Sequence, residues 1–135
     1  MQTILNNAST VAHMFDLFKN GEIDKLLAMM HPRVIWHITG NAPIPYARIY
    51  RGTKDVANFF AELAKAVTFK EFVPEQILNA DDHIVASIGH YIITVNSTGK
   101  EAESDWVMTF EFDEEGILVG FKDYVDTQAV AKAFQ

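Results

Sequence analysis

Asp123 stands alone in a run of alternating apolar residues. Side chains alternate across a strand, so a strand over 117–126 puts Ile117, Val119, Phe121, Asp123 and Val125 on one face. Leu118, Gly120, Lys122, Tyr124 and Asp126 share the other. A carboxylate among apolar neighbours is costly unless paired, and loss of water pushes its pKa upward, toward use as a general base. The same pattern describes a structural Asp held by backbone donors or by a His. His90 is a second break of this kind: a strand over 83–95 puts Ile84, Ala86, Ile88, His90 and Ile92 on one face. In one pocket with Asp123, His90 could share a proton or polarise a substrate oxygen. On its own it reads as a core histidine.

Other side chains could complete such a site. A strand over 102–112 places Trp106, Met108, Phe110 and Phe112 on one face, as plain core or as cavity wall. Over 33–39, Trp36 goes with Val34 and Ile38 while His37 goes with Ile35, and either face could line a cavity. Tyr46 and Tyr50 lie in a Pro-containing stretch, where their hydroxyls could donate to a bound oxygen or simply anchor packing. The five histidines (His13, His31, His37, His83 and His90) show no H-x-x-x-H or H-x-H spacing, so a metal site has little support. There is no Cys, no Gly-rich phosphate loop and no G-x-S-x-G. The expected chemistry therefore uses neither cofactor nor metal.

The elements that would position these residues run helices first, strands after. Val11, Met14, Phe15, Leu17 and Phe18 recur at helical spacing within 8–20, with Ser9 or Thr10 as cap and Gly21 as stop. A short helix follows over 23–30, ended by Pro32. The strand at 33–39 leads into a long loop with Gly40, Pro43, Pro45 and Gly52. Thr53 then caps a helix to about Val67, whose buried stripe is Val56, Phe59, Phe60 and Leu63. Strands are predicted at 68–79, 83–95, 102–112 and 117–126, with a bulge or an edge at Pro74. Turns fall at Asp81–Asp82, Asn96–Gly99 and Glu114–Gly116, and successive hairpins predict an antiparallel sheet. Residues 127–134 form a last short helix, and the whole reads as α+β.

Composition narrows the classes. The 135 residues suit a single domain, 1–135, and 49% apolar content with ten Phe excludes a disordered chain. The net charge is −7, and the eleven Lys and Arg form no basic stripe, so neither nucleic acid nor membrane is an expected partner. No apolar run approaches the roughly 18 residues that span a bilayer. The opening MQTILNNAST lacks the basic and apolar regions of a signal peptide, so a cytoplasmic location is expected.

The segments WHITGNAPIPYARIYRGTKDVANFF at 36–60 and GFKDYVD at 120–126, on this order of elements, resemble SnoaL-like proteins of the nuclear transport factor 2-like superfamily. Polyketide cyclases, ketosteroid isomerase and limonene epoxide hydrolase belong to the same superfamily. The resemblance implies a cone-shaped, cystatin-like α+β fold, with a strongly bent antiparallel sheet wrapped around the N-terminal helices and enclosing an apolar pocket. It also implies a homodimer through the outer sheet face, with Tyr91, Val107 and Tyr124 as candidates there. Asp123 matches the acidic residue of the D-Y-x-D strand that acts as acid or base in cyclases and epoxide hydrolases. The Arg-x-Asp pair of the epoxide hydrolase is missing, since that region reads Gly89-His90-Tyr91-Ile92-Ile93. The base of ketosteroid isomerase matches His37, but its oxyanion donors fall near Met14 and Met108, which cannot donate.

The expected function is thus a cofactor-independent cyclase or isomerase acting on a small-to-medium apolar carbonyl compound. Asp123, His90 and His37 are the expected catalytic groups. Trp36, Tyr46, Tyr50, Phe60, Trp106, Met108, Phe110, Phe121 and Met14 are the expected substrate contacts. The alternatives are a non-catalytic binder of an apolar small molecule and an epoxide-hydrolase-like enzyme.

Overall fold

The computed structural model describes residues 6–135. Half of the opening decapeptide read above as no signal peptide, residues 1–5, lies outside the described residues. The elements follow as α1 (Asn7–Lys19), α2 (Ile23–Leu27), β1 (Met30–His37), β2 (Ile49–Arg51), α3 (Thr53–Ala66), β3 (Val67–Asn79), β4 (Ile84–Val95), β5 (Glu101–Phe112), β6 (Leu118–Val125) and α4 (Thr127–Ala133). No described helix is long and apolar enough to cross a membrane.

Local chemistry explains most of the boundaries. The Asn6 side chain accepts from Ser9 N–H and caps α1, three residues ahead of Ser9, the nearer of the two caps expected. Gly21 follows with a positive φ of 74°. Gly52 stands at the N-cap of α3, and Thr53, expected as the cap, instead donates its hydroxyl to His31 O. Asp126 accepts from Ala129 N–H and starts α4.

The six strands form one sheet in the order β2-β1-β6-β5-β4-β3. Three features depart from expectation. The β1–β6 pair is parallel, so the sheet is mixed rather than wholly antiparallel. Local turns fix only hairpin partners, and this pairing joins distant segments. Pro32 does not end α2, which stops at Leu27; it lies inside β1, in the stretch between Met30 and Ile35 where the β1–β6 register is interrupted and no ladder donor is needed. β2 was hidden in the expected loop, its three residues pairing with Ile35, Trp36 and His37.

β3 is one of the two edge strands, and its register shifts at Phe69/Glu71 and again at Pro74/Gln76. Each shift bends the strand, and together they help curl the sheet around the helices. The inner face carries Val85, Tyr91 and Ile93 of β4, Trp106 and Phe110 of β5, and Phe121 of β6, all buried with Phe15 of α1 and Phe59 and Phe60 of α3. Gly89 of β4 stands directly opposite Trp106 of β5.

Candidate functional site

A cavity of about 100 Å³ lies between the inner face of the sheet and the helices. Its walls are Met14, Phe15 and Phe18 of α1, Phe59, Phe60 and Leu63 of α3, Trp36 of β1, and Met108, Phe110 and Phe121 of the sheet, among others. Trp36 stacks on Phe121 with ring centroids 3.9 Å apart, and Phe110 meets Phe121 edge-on at 5.0 Å. Such pairs fix the wall shape beyond what burial alone does. Three polar-tipped side chains reach this apolar space: Asp123, Tyr46 and Tyr91.

Asp123 is 9% exposed. Its Oδ1 accepts from Thr39 N–H at 2.8 Å and from the Thr39 hydroxyl at 3.0 Å. Its Oδ2 has no side-chain or backbone partner from another described residue. Burial raises the carboxyl above its ordinary pKa, outweighing the Thr39 bonds and the charge of His37, which pull the other way. Tyr46 and Tyr91 are pushed up as well, by burial first and then by Asp123 and neighbouring groups, so both remain protonated donors.

The sign of the Asp123 shift has a stability consequence. A carboxyl with a raised folded-state pKa holds its proton more tightly in the folded protein. It favours the fold fully below the ordinary carboxylate pKa of about 3.9, and that contribution is lost as pH rises through the folded pKa. Asp123 is therefore a cost to the fold at neutral pH. Asp123→Asn is expected to raise the urea midpoint at neutral pH, with the advantage shrinking as pH falls through the raised folded-state pKa and gone below about 3.9. An unfolding series across pH checks it; an Asn variant less stable than wild type at neutral pH would make Asp123 a structural partner instead.

The structure brings together Asp123, Trp36, Tyr46, Phe60, Met108, Phe110, Phe121 and Met14 around the cavity. Four expected site residues lie elsewhere. His90 is on the outer face of β4, its Nδ1 3.1 Å from Glu75 Oε1 and its Nε2 3.5 Å from Glu71 Oε2. The hydrogen bond that its ring N–H donates to Glu75, with Glu71 nearby, raises its pKa. It cannot share a proton with Asp123. His37 is half-buried on the outer side of β1, in register with Lys122, and only its charge reaches Asp123. Trp106 is core, packed on Phe15, Phe72 and Gly89. Tyr50 is buried under Arg48 and donates its hydroxyl to Tyr46 O at 2.7 Å, so it holds the Tyr46 backbone rather than a ligand.

Tyr91 is the reverse case. Expected on the outer face, it points inward and lines the cavity. The inner face of β4 carries Val85, Ser87, Gly89, Tyr91, Ile93 and Val95. The outer face is apolar too, with Ile84, Ala86, Ile88 and Ile92, so alternation alone cannot choose between them. Gly89 is the usable signal, because a glycine inside a strand marks close approach on its face. Thr39 gave no signal, lying past the end of β1 and meeting a residue 84 positions away. Among the described residues no cluster of three or more His, Cys, Asp or Glu could hold a metal ion.

An apolar cavity with one desolvated carboxyl lies between the bent sheet and the helices. The SnoaL-like domain family matches residues 11–120, and the chain belongs to that family, within the nuclear transport factor 2-like superfamily. Two similar solved structures are nuclear transport factor 2-like proteins. That from Burkholderia xenovorans is 26% identical, with 96% of this chain and 95% of that one covered and a TM-score of 0.85. That from Burkholderia thailandensis is 25% identical, with 100% and 99% covered and a TM-score of 0.85. TerC, co-crystallised with polyporic acid, shares the fold at 19% identity, with 94% and 96% covered and a TM-score of 0.81. No curated protein matches the sequence.

Proposed function

We propose that this protein is an acid–base catalyst of the cyclase or isomerase kind, acting on a small apolar carbonyl compound, with Asp123 moving the proton. The observation that carries this reading is the desolvated Asp123 carboxyl lining an aromatic cavity, one oxygen fixed by Thr39 and the other without a partner from another described residue. A binder of apolar ligands gains nothing from desolvating a carboxylate, whereas a base is made stronger by it. The ionised carboxylate takes a proton from the carbon beside the carbonyl through Oδ2. The C–H electron pair becomes the C=C bond of an enolate, and the negative charge moves to oxygen. Isomerisation is completed when Asp123 returns the proton to another carbon. In a cyclisation the enolate carbon instead bonds to a second carbonyl carbon of the same molecule, and the new alkoxide takes the proton.

Similar folds include candidates for isomerase and polyketide cyclase activity, and TerC provides a precedent for a small-molecule occupant. Epoxide hydrolysis is less well supported, since no Arg lines the cavity. The test is deuterium incorporation from heavy water into small cyclic ketones, followed by NMR. Wild type is expected to accelerate exchange beside the carbonyl. A ketone that binds with no acceleration would favour the non-catalytic binder.

We also infer a homodimer through the outer sheet face. Ile88, Val107 and Tyr124 sit side by side on β4, β5 and β6, and are 39%, 37% and 46% exposed. An apolar row of this kind is a common subunit contact. Val107→Glu is expected to leave the fold intact and convert a sedimenting dimer to monomer; a monomeric wild type would overturn the inference.

A further inference from the structure

The cavity as it stands is smaller than a single ring requires. Its volume is about 100 Å³, whereas an apolar cavity that accepts benzene has about 150 Å³. A ring therefore enters only if part of the wall gives way. The segment beneath Tyr46 is fastened: Ile38 N–H donates to Arg48 O at 3.0 Å, the Tyr50 hydroxyl donates to Tyr46 O at 2.7 Å, and Arg48 pairs with Glu62 at 3.4 Å. The seam between α1 and β3 is different. Among the described residues no hydrogen bond joins these two elements, and the bond from Asn7 Nδ2 of α1 to Asp82 O ends in the turn beyond β3. Rings close the seam. Phe18 of α1 meets Phe69 edge-on at 5.6 Å and Phe72 at 5.2 Å, and Phe69 meets Phe72 at 5.7 Å. All three line the cavity and are only half-buried, so they carry its wall to the surface. Met108, the other half-buried wall residue, stands mid-sheet on β5 opposite Asp123, where its exposed surface faces the cavity itself.

We propose that uncharged single-ring molecules enter the cavity through the α1–β3 seam, with Phe18, Phe69 and Phe72 as its gate. This rests on the reading of the cavity as a small-molecule site and adds the route into it. The backbone on the β3 side can yield. β3 is an edge strand, and its ladder to β4 shifts at Phe69/Glu71 and at Pro74/Gln76. Phe69 borders the first shift, and Phe72 lies in the short paired stretch between the two. An edge segment interrupted in this way opens at a lower free energy than a continuous central ladder. On the other side, Phe18 lies in the last turn of α1, just before Gly21 with its φ of 74°. Swinging Phe18 and Phe69 apart breaks a ring contact and no hydrogen bond between side chains. Phe72 stays stacked on Trp106 at 5.4 Å and forms the fixed side of the opening. The open seam offers only aromatic surface, so a charged molecule would shed its water there with nothing in return, whereas an uncharged ring loses little.

The probe is fluorobenzene, followed by fluorine-19 NMR exchange, which yields both rates and Kd. It carries no carbonyl, so entry is measured apart from proton transfer. Phe18→Leu and Phe69→Leu each remove a ring contact from the closed seam. Each is expected to quicken association and dissociation alike by about tenfold, the worth of one aromatic pair, and to change Kd little. Phe69→Trp thickens the gate and is expected to slow both rates, so the test does not depend on truncated variants alone. Phe59→Leu, at a buried wall on α3, is expected to change Kd without quickening association. Rates unmoved by all three seam substitutions, or quickened more by Tyr50→Phe, which frees the segment beneath Tyr46, overturn the seam as the route and leave the cavity reading standing. Fluorobenzene that does not bind wild type overturns the proposal and the ring-sized site together, while ketone exchange decides separately whether Asp123 moves protons.

Discussion

Asp123→Asn is expected to lower the rate of proton exchange beside a bound ketone's carbonyl by about 10²–10⁴-fold at neutral pH, the usual worth of a general base. The substitution changes little else. The amide oxygen still accepts from Thr39 N–H and Oγ1, and the apolar walls are untouched. Affinity for the neutral ketone should change little, so the loss falls on turnover rather than on binding. Because the carboxylate is a cost to the fold at neutral pH, the variant is expected to be slower and also more stable. That combination separates a base from a structural acid. A structural acid would lose stability and activity together. A loss of only a few-fold would assign the proton transfer to another group.

Gly89→Ala is expected to destabilise the fold by about 3 kcal/mol or more, at the upper end of overpacking effects. A Cβ at Gly89 would lie 2.3 Å from Val73 O and 2.4 Å from Trp106 Cζ2. Neither neighbour yields easily. Val73 O is backbone of the paired edge strand, next to the register shift at Pro74. Trp106 is 1% exposed and stacked on Phe72. The backbone of β4 must therefore move, and it carries Tyr91 two residues on. A urea midpoint within about 0.5 kcal/mol of wild type, the range of ordinary surface substitutions, would show that the indole is not wedged there.

Much of this architecture was legible where local chemistry decides it. The turns at Asp81–Asp82 and Asn96–Gly99 delimit β4, and Pro74 marks both an edge and a shift in register. Asp123 was legible because a carboxylate breaks an otherwise apolar alternation. What stayed hidden depends on distant partners. The parallel β1–β6 pair and the Thr39–Asp123 bonds join segments far apart in sequence. His90 misled for a different reason. β4 is apolar on both faces, so a polar residue in one apolar row does not reveal which row faces the core. The same ambiguity hid Tyr91.

Proton transfer by Asp123 depends on the electrostatics of one carboxyl, which can be measured without any substrate. Side-chain carboxyl carbons can be titrated by carbon-13 NMR, with Asp123 assigned by the signal missing from Asp123→Asn. Burial in the aromatic cavity is expected to place its midpoint above the ordinary Asp value of about 3.9. A midpoint at or below that value would mean the Thr39 bonds and solvent already satisfy the carboxylate, and Asp123 would then have no claim to be the base.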